Sequence, residues 1–298
     1  FFMEDFLFTP LVIALWLGVH AALLKVHTPP EGKLLTIGFL MHIGGGFAQV
    51  LVTREYFGLG DLLGYFEYGA LTADVLRIDF FQFAPELLRA FLQQPDIRIP
   101  APLFGGGSTL SMSAAASFIL FLTGNSLYAS CVFVGIGAYV SKVLLYHALR
   151  VEFPQEKHTT ILAGVLLLPS AVFWSCAILK QPLAMAAIGP LVLAMRMLID
   201  RRRTVLAILM GTPAVIALAV IKPYILMAIS VAGAAFMLAG RLRGPGSVVL
   251  KPFAVIPAIA LGFGGLVLGS RYFVKLDGQD TASAFAGQRA SERVELER

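Results

Sequence analysis

The chain has 298 residues, of which 58% are hydrophobic and only 14% are charged, whereas a soluble domain has roughly 45–50% and about 25%. With a mean hydropathy of +0.81, this composition excludes a disordered protein, a disulfide scaffold and an ordinary soluble enzyme, and it predicts an all-α polytopic membrane protein. The net charge of +5 is weak evidence for a nucleic-acid partner, because basic residues mostly set the orientation of a membrane protein. The sequence has no basic patch interleaved with aromatic residues, so no nucleic-acid partner is predicted. The two cysteines, Cys131 and Cys176, lie in apolar stretches and are expected to be small core residues.

Apolar segments of about 17 to 25 residues can cross a bilayer as helices. The segments of this kind predict eight or nine spanning helices, at 9–25, 34–53, 109–123, 127–148, 159–177, 182–199, 204–221, 223–240 and 252–270. The segment 109–123 is short and rich in Ser and Ala, so it could also be re-entrant or span only partly. We expect residues 1–270 to form the transmembrane bundle, and the polar tail 271–298 to begin a further region.

The loop 54–108 has a different pattern from the spanning segments. Within it, 61–77 and 80–94 mix apolar and charged residues at helical spacing. This spacing predicts two amphipathic helices at the membrane interface. Prolines and the glycines 105–107 are expected to end them before the next apolar segment.

Basic residues predict the orientation of the bundle. Arg196 with the arginines 201–203 marks one cytoplasmic loop, and the basic residues between 241 and 251 mark a second. Lys180 and Lys222 then lie on the opposite side. The loop 54–108 joins them only if 109–123 does not cross the membrane, so its side is left open.

A first candidate site follows two glycines at the start of the loop helix 61–77. Asp61 fits the N-cap or first turn of this helix, and Tyr65 and Tyr68 share its face. One interpretation is a helix cap with interfacial tyrosines, which are common membrane anchors. The other is a carboxylate at the membrane surface that acts as a general base or metal ligand.

Two isolated lysines form the second and third candidates. Lys180 follows a short stretch that contains Ser170 and Trp174, with prolines that predict helix breaks, and Lys222 interrupts a long apolar run. Each lysine could merely snorkel from a turn. Together, on one side of the membrane, they could hold a phosphate as point charges.

Other polar residues in the apolar segments have simpler interpretations. His20 and His42 are expected to be polar core residues rather than metal ligands. Lys142 is expected to snorkel toward a helix end. The glycines 44–46 are expected to allow close helix packing, because no strand or Lys-Ser/Thr pair marks them as a phosphate loop.

The three candidate sites, taken as a set, resemble a known class. The GD…Y…YG pattern at 60–69, PS…FWS…LK at 169–180 and KPY at 222–224 resemble segments of bacterial integral-membrane glycosyltransferases and polysaccharide polymerases, including polyprenyl-phosphate-dependent transferases of the GT-C fold. The resemblance covers roughly residues 55–225. It implies a bacterial inner (cytoplasmic) membrane protein that transfers a sugar from a polyprenyl-phosphate-linked donor at the extracytoplasmic face.

The resemblance also implies roles for individual residues. Asp61 would be the catalytic carboxylate, and Lys180 and Lys222 would hold the lipid phosphate. Sugar or prenyl contacts would come from Tyr65, Tyr68, Trp174 and Ser170. No cofactor is certain and no metal site is assigned, but the family's carboxylate acts as a base or as a metal ligand, so a divalent cation is possible. The chain departs from the class in placing this loop after the second apolar segment rather than the first.

The implied partners are the lipid-linked sugar, membrane lipid and other envelope-assembly proteins. Two other functions fit the same residues. One is a transporter or flippase-like carrier of an amphipathic anion, and the other is a non-catalytic membrane subunit of an envelope complex, in which Asp61 and both lysines could be replaced without loss.

Overall fold

A computed structural model describes residues 3–58, 60–94, 97–101, 103, 107–200 and 203–241, with side chains up to residue 234. These residues form helices and loops without any strand. The helices are α1 (Met3–Lys25), α2 (Pro29–Leu51, extended by a π-helical turn Val52–Phe57), α3 (Asp61–Ile78), α4 (Phe80–Phe91), α5 (Gly107–Leu122), α6 (Leu127–Glu152), α7 (His158–Leu166), α8 (Pro169–Phe173), α9 (Lys180–Ile199), α10 (Thr204–Ile221) and α11 (Pro223–Arg241).

Five of these helices are long and apolar enough to cross a membrane, namely α1, α2 with its π-helical turn, α6, α9 and α10. Two shorter apolar helices lie at Gly107–Leu122 and Pro223–Ala234. The chain is therefore a multi-pass helical membrane protein. The count of eight or nine spans and the interfacial position of α3 and α4 stay predictions. The predicted segment 252–270 and the tail 271–298 lie outside the described residues.

Helix α6 lies at the centre of the bundle, because 78% of the residues in its most apolar 18-residue stretch are buried inside the protein. Helix α1 runs beside it in the same direction, because Ser126 contacts the start of α1 and Tyr139 contacts His20 further along. Helix α2 runs in the opposite direction, since its first turn provides Glu31, which accepts a hydrogen bond from Tyr146 near the end of α6.

Glycines bring α2 close to its neighbours. A Cβ atom at Gly45 would lie 2.9 Å from Cys176 Sγ, and one at Gly46 would lie 3.1 Å from the Val132 side chain. A side chain at either position would force its neighbour to shift, more at Gly45 than at Gly46. The prediction of close packing is thus confirmed for these two glycines, whereas Gly44 faces open space. Cys131 and Cys176 are both free and buried, as predicted.

The segment predicted to span over 159–177 is not one continuous helix. Helix α7 ends at Leu166, Pro169 starts the short α8, and residues 174–179 are not helical. Proline disfavours the helical conformation in the residue before it, so the break falls where Pro169 predicts it. Pro182 does not break a helix, because it lies in the first turn of α9, where a missing N–H costs little.

The last three helices continue the bundle. Helix α9 runs parallel to α6, since Ser141 contacts Met185 and Gly189, and Arg196 pairs with Glu152. Helix α10 returns beside α9, and α11 runs in the direction of α9 again, since Gly233 faces Met195 near the end of α9. The bundle therefore has an arginine end, which carries Arg150, Arg196 and Arg203, and a lysine end. The lysine end is defined by Asp61, Lys180 and Lys222.

Candidate functional site

Lys180 is the first residue of α9 and lies beside the first turn of α5. Its Nζ donates hydrogen bonds to Ser108 Oγ at 2.9 Å and to Thr109 Oγ1 at 2.8 Å, and the side chain is half-buried. The first turns of α5 and α9 both leave backbone N–H groups without helical acceptors and carry the positive end of the helix dipole. An ammonium group added to two such helix starts makes this region favourable for an anion.

Lys222 lies at the same end of the bundle, at the junction of α10 and α11. It is the residue between the two helices, where Pro223 fixes the start of α11. The amide of Gln93 donates to Ser111 Oγ and to the carbonyl oxygen of Val220, both at 2.9 Å. This amide therefore fastens the end of α10 to the first turns of α5. The Lys222 ammonium lies 5.3 Å from the centre of the Tyr224 ring and is half-exposed.

Asp61 begins α3 at this end of the bundle. Gly60 precedes the helix with a φ of 139°, a left-handed conformation that glycine adopts without strain. The next turn packs into the core, where Leu62 and Tyr65 join a cluster with Met112 and Ile178. Because Met112 lies on α5 and Ile178 comes just before α9, the exposed Asp61 begins its helix near the starts of both.

The chain enters and leaves the segment 52–126 at this same end. Val50, at the end of α2, shares the core cluster with Leu127 and Tyr128 at the start of α6. Helices α3 and α5 run parallel, because Gly69 faces Ser117 and Arg77 reaches the carbonyl oxygen of Leu120. The structure thus brings Asp61, Lys180 and Lys222 to one end of the bundle.

The predicted sugar and prenyl contacts do not all gather there. Tyr65 has only 1% of its surface exposed and is a core residue, so its position gives the predicted ligand contact no support. Tyr68 is half-buried on the same helix. Ser170 and Trp174 are exposed on the broken segment, which packs against α2 through the hydrogen bond from Gln49 to the carbonyl oxygen of Phe173.

Lys142 is a buried lysine in the interior of the bundle. The prediction that it snorkels to a helix end is wrong, because its side chain is 2% exposed in the interior of α6. Its Nζ donates to His42 Nε2 at 3.1 Å, to the carbonyl oxygen of Ala171 at 3.0 Å and to Ser175 Oγ at 2.9 Å. An ammonium has three N–H donors, so all of them are used.

His42 completes this buried cluster. Because Nε2 accepts from Lys142, the hydrogen of the neutral ring is on Nδ1, which donates to the carbonyl oxygen of Gly38 at 2.6 Å. The cluster ties α2 and α6 to the break between α8 and α9. A lysine and a histidine in the middle of two apolar segments, opposite a proline break, are the sequence signal that could have indicated it.

Metal binding and similarity to known proteins add no further assignment. Among the described residues, no group of three or more His, Cys, Asp or Glu side chains is arranged to hold a metal ion. His20 instead contacts the Tyr139 hydroxyl at 3.0 Å. Comparison of the chain with protein-family models, curated proteins and solved structures finds no match.

Proposed function

We propose that the chain is a membrane glycosyltransferase or polysaccharide-assembly enzyme that takes a sugar from a polyprenyl-phosphate-linked donor. The observation that carries the proposal is the arrangement of Lys180 and Lys222 around the first turns of α5, through Ser108 and Thr109 on one side and Gln93 on the other. Two cations beside helix starts are suited to hold a phosphate group.

The reaction would use the three residues at the lysine end. The acceptor hydroxyl attacks the anomeric carbon of the donor sugar, and the bond from that carbon to the phosphate oxygen breaks. Asp61 takes the proton of the hydroxyl as a general base. Lys180 and Lys222 stabilise the negative charge that develops on the leaving polyprenyl phosphate.

The charge distribution supports an extracytoplasmic site. Lys25, Lys33 and Lys157 lie near the arginine end, in the loops and helix ends that join α1 to α2 and α6 to α7. Basic loops remain in the cytoplasm. The lysine end, where the loop 54–108 carries more acidic than basic residues, would then face the opposite side, where lipid-linked sugars are used in the class that the sequence resembles.

Helix α4 supports a location at the bilayer surface. Asp79 caps it by accepting the Gln82 N–H at 2.9 Å, and Leu87 and Ala90 pack inward. On its outer side, Phe81 is 88% exposed. A short helix with an exposed aromatic residue is suited to the headgroup region, where a lipid-linked sugar has its reactive bond.

A carrier of an amphipathic anion is the second candidate. The broken crossing through α7, α8 and residues 174–179 favours it, because transporters build substrate sites from discontinuous helices. Lys142 beside this broken segment is only 2% exposed, however, so a substrate does not reach its ammonium. The break is therefore weaker support than the lysine end.

The test measures binding and transfer separately in proteoliposomes. Polyprenyl monophosphate is titrated against the wild type and the variants Lys180→Met, Lys222→Met and Lys33→Met. Each lysine-end variant should weaken binding about tenfold or more, because each removes a charge-assisted contact, while the exposed Lys33 is the matched control. Asp61→Asn should keep binding but abolish release of polyprenyl phosphate from a polyprenyl-phosphate-linked sugar.

Three outcomes would contradict the proposal. Equal binding by both lysine-end variants and the wild type would mean that no phosphate site exists there. Movement of the intact lipid-linked sugar between leaflets, with no cleavage of its sugar–phosphate bond, would replace the enzyme with the carrier. Full envelope function of Lys180→Met, Lys222→Met and Asp61→Asn in cells would favour the non-catalytic subunit.

A further inference from the structure

A groove runs along the outer surface of the bundle, between α1 and the α2–α6 pair. Its volume is about 430 Å³, and its apolar lining comes from Phe6, Pro10, Ile13, Ala14, Leu17 and Phe47. Phe6 and Leu17 are 86% and 49% exposed. The groove therefore opens sideways from a spanning helix, toward the hydrocarbon of the membrane.

One end of this groove holds a buried carboxylate, Asp5, together with Thr9 and Tyr128. Asp5 is only 6% exposed although it lies in the first turn of α1. Its Oδ1 accepts from Ser126 Oγ at 2.6 Å and from the Tyr128 N–H at 3.4 Å. A carboxylate has about four acceptor positions, and no donor from the described residues reaches Oδ2.

Asp5 has no cationic partner within the described part of the chain. The ion pairs there join Arg77 to Asp74, Arg89 to Glu86, and Arg196 to Glu152 and Asp200. Burying a carboxylate with only neutral donors is unfavourable, and a cation at the open oxygen offsets that cost. The groove thus combines an apolar channel with an anionic acceptor at its end.

We propose that this groove, the Asp5 groove, binds a membrane lipid whose headgroup carries a primary ammonium. The acyl chain lies along Ile13, Ala14 and Leu17, and the ammonium donates a charge-assisted hydrogen bond to Asp5 Oδ2. Asp5 lies at the end of the α1 span, which is the depth at which lipid headgroups are found. An anionic headgroup would be repelled by the carboxylate, and a choline headgroup has no N–H to donate.

The Asp5 groove opens at the same end of the bundle as the candidate site, because Ser126 and Tyr128 lie at the start of α6, but its lining includes none of Asp61, Lys180 and Lys222. The lysines favour an anion, whereas Asp5 favours a cation, so the two regions select different headgroup chemistry. The inference about the Asp5 groove does not depend on the proposed function, and either can fail alone.

Competition between two lipids with identical acyl chains tests the inference. The purified full chain is placed in nanodiscs of equal parts phosphatidylethanolamine and phosphatidylcholine, and the retained lipids are counted by native mass spectrometry. The wild type should retain phosphatidylethanolamine about tenfold over phosphatidylcholine. Asp5→Asn should remove this preference, whereas Glu4→Gln, the exposed neighbouring acid, should keep it.

Filling the groove provides a second variant. Ala14 is exposed and lines the channel, so Ala14→Phe should lower total retained lipid without removing the carboxylate. Equal retention of the two lipids by the wild type, or an unchanged preference in Asp5→Asn, would overturn the inference. If Asp5→Asn does not fold, unchanged phosphatidylethanolamine retention by Ala14→Phe would overturn it.

Discussion

Two lysine environments in this bundle differ in what their ammonium groups contact. Lys142 is 2% exposed, and its three donors meet His42, Ala171 and Ser175. Lys180 and Lys222 are only partly buried and lie at helix starts at one end of the bundle. A fully buried ammonium holds helices together, whereas partly exposed cations beside helix starts can hold a ligand.

Removal of the buried ammonium is expected to have the largest effect. Lys142→Met removes the donor to His42 Nε2 and to Ser175 Oγ, and leaves the Ala171 carbonyl oxygen with Ser175 Oγ alone among these donors. The free energy of unfolding should fall by about 3 kcal/mol, which can be measured by thermal unfolding in detergent micelles. The exposed Lys33→Met should change stability by less than about 0.5 kcal/mol. Equal stability of the two variants would mean that Lys142 does not hold residues 171–175 against α6.

Packing of α2 against Cys176 gives the next largest expected effect on the free energy of unfolding. Gly45→Leu forces a side chain against Cys176, from which even a Cβ would be separated by only 2.9 Å. This overpacking should cost about 1–3 kcal/mol of unfolding free energy. Gly44→Leu is the matched control, because Gly44 has no neighbour within 4 Å of a Cβ. A larger loss from Gly44→Leu than from Gly45→Leu would contradict the described contact between α2 and the break.

The arginine end offers an ion pair of intermediate exposure. Arg196 Nε lies 2.8 Å from Glu152 Oε1, with the two side chains 22% and 25% exposed. Solvent screening reduces the stabilisation that such an ion pair provides. A double-mutant cycle of Glu152→Gln and Arg196→Gln should therefore give a coupling energy of about 0.5 kcal/mol. A coupling above about 2 kcal/mol would place this pair with Lys142, among the interactions that hold the bundle.

The smallest expected effect is a pH dependence of the contact between Glu86, on α4 at the lysine end, and the backbone N–H of Arg98. The backbone N–H of Arg98 and the nearby Arg89 lower the pKa of the Glu86 carboxyl below its ordinary 4.5. A lowered carboxyl pKa stabilises the folded contact above pH 4.5, and this stabilisation is lost as the pH falls through the folded pKa. The Arg98 amide should therefore exchange hydrogen faster at pH 3 than its intrinsic rate change explains.

Two variants complete the pH measurement. Glu86→Gln should remove the additional pH dependence of Arg98 exchange, and Glu67→Gln, at an exposed acid of α3, should leave it unchanged. Exchange that follows the intrinsic rate in the wild type would show that the carboxylate does not hold residue 98.

The helices were largely predictable from the sequence because their signals are local. Long apolar runs indicated α1, α2, α6, α9 and α10, and Pro169 indicated the break before α8. The starts of α3 and α4 at Asp61 and Phe80 also follow from the glycines and charges around them.

The buried polar partners were not predictable, because they depend on contacts between distant residues. Lys142 contacts His42 across 100 positions, and Asp5 contacts Ser126 across 121. Spacing within one helix predicts which face a residue occupies, but not which helix packs against that face. For this reason the sequence does not indicate that Lys142 is buried, that Tyr65 lies in the core or that Asp5 contacts the start of α6.

The most direct test of the central claim is the sidedness of the candidate site. Single cysteines replace Asp61, Gln181 and Arg203 in a Cys131→Ala/Cys176→Ala background, and intact cells are treated with a membrane-impermeant maleimide. Positions 61 and 181 should label from outside, and position 203 only after permeabilisation. Labelling of positions 61 and 181 from opposite sides of the membrane would contradict a shared site at the lysine end.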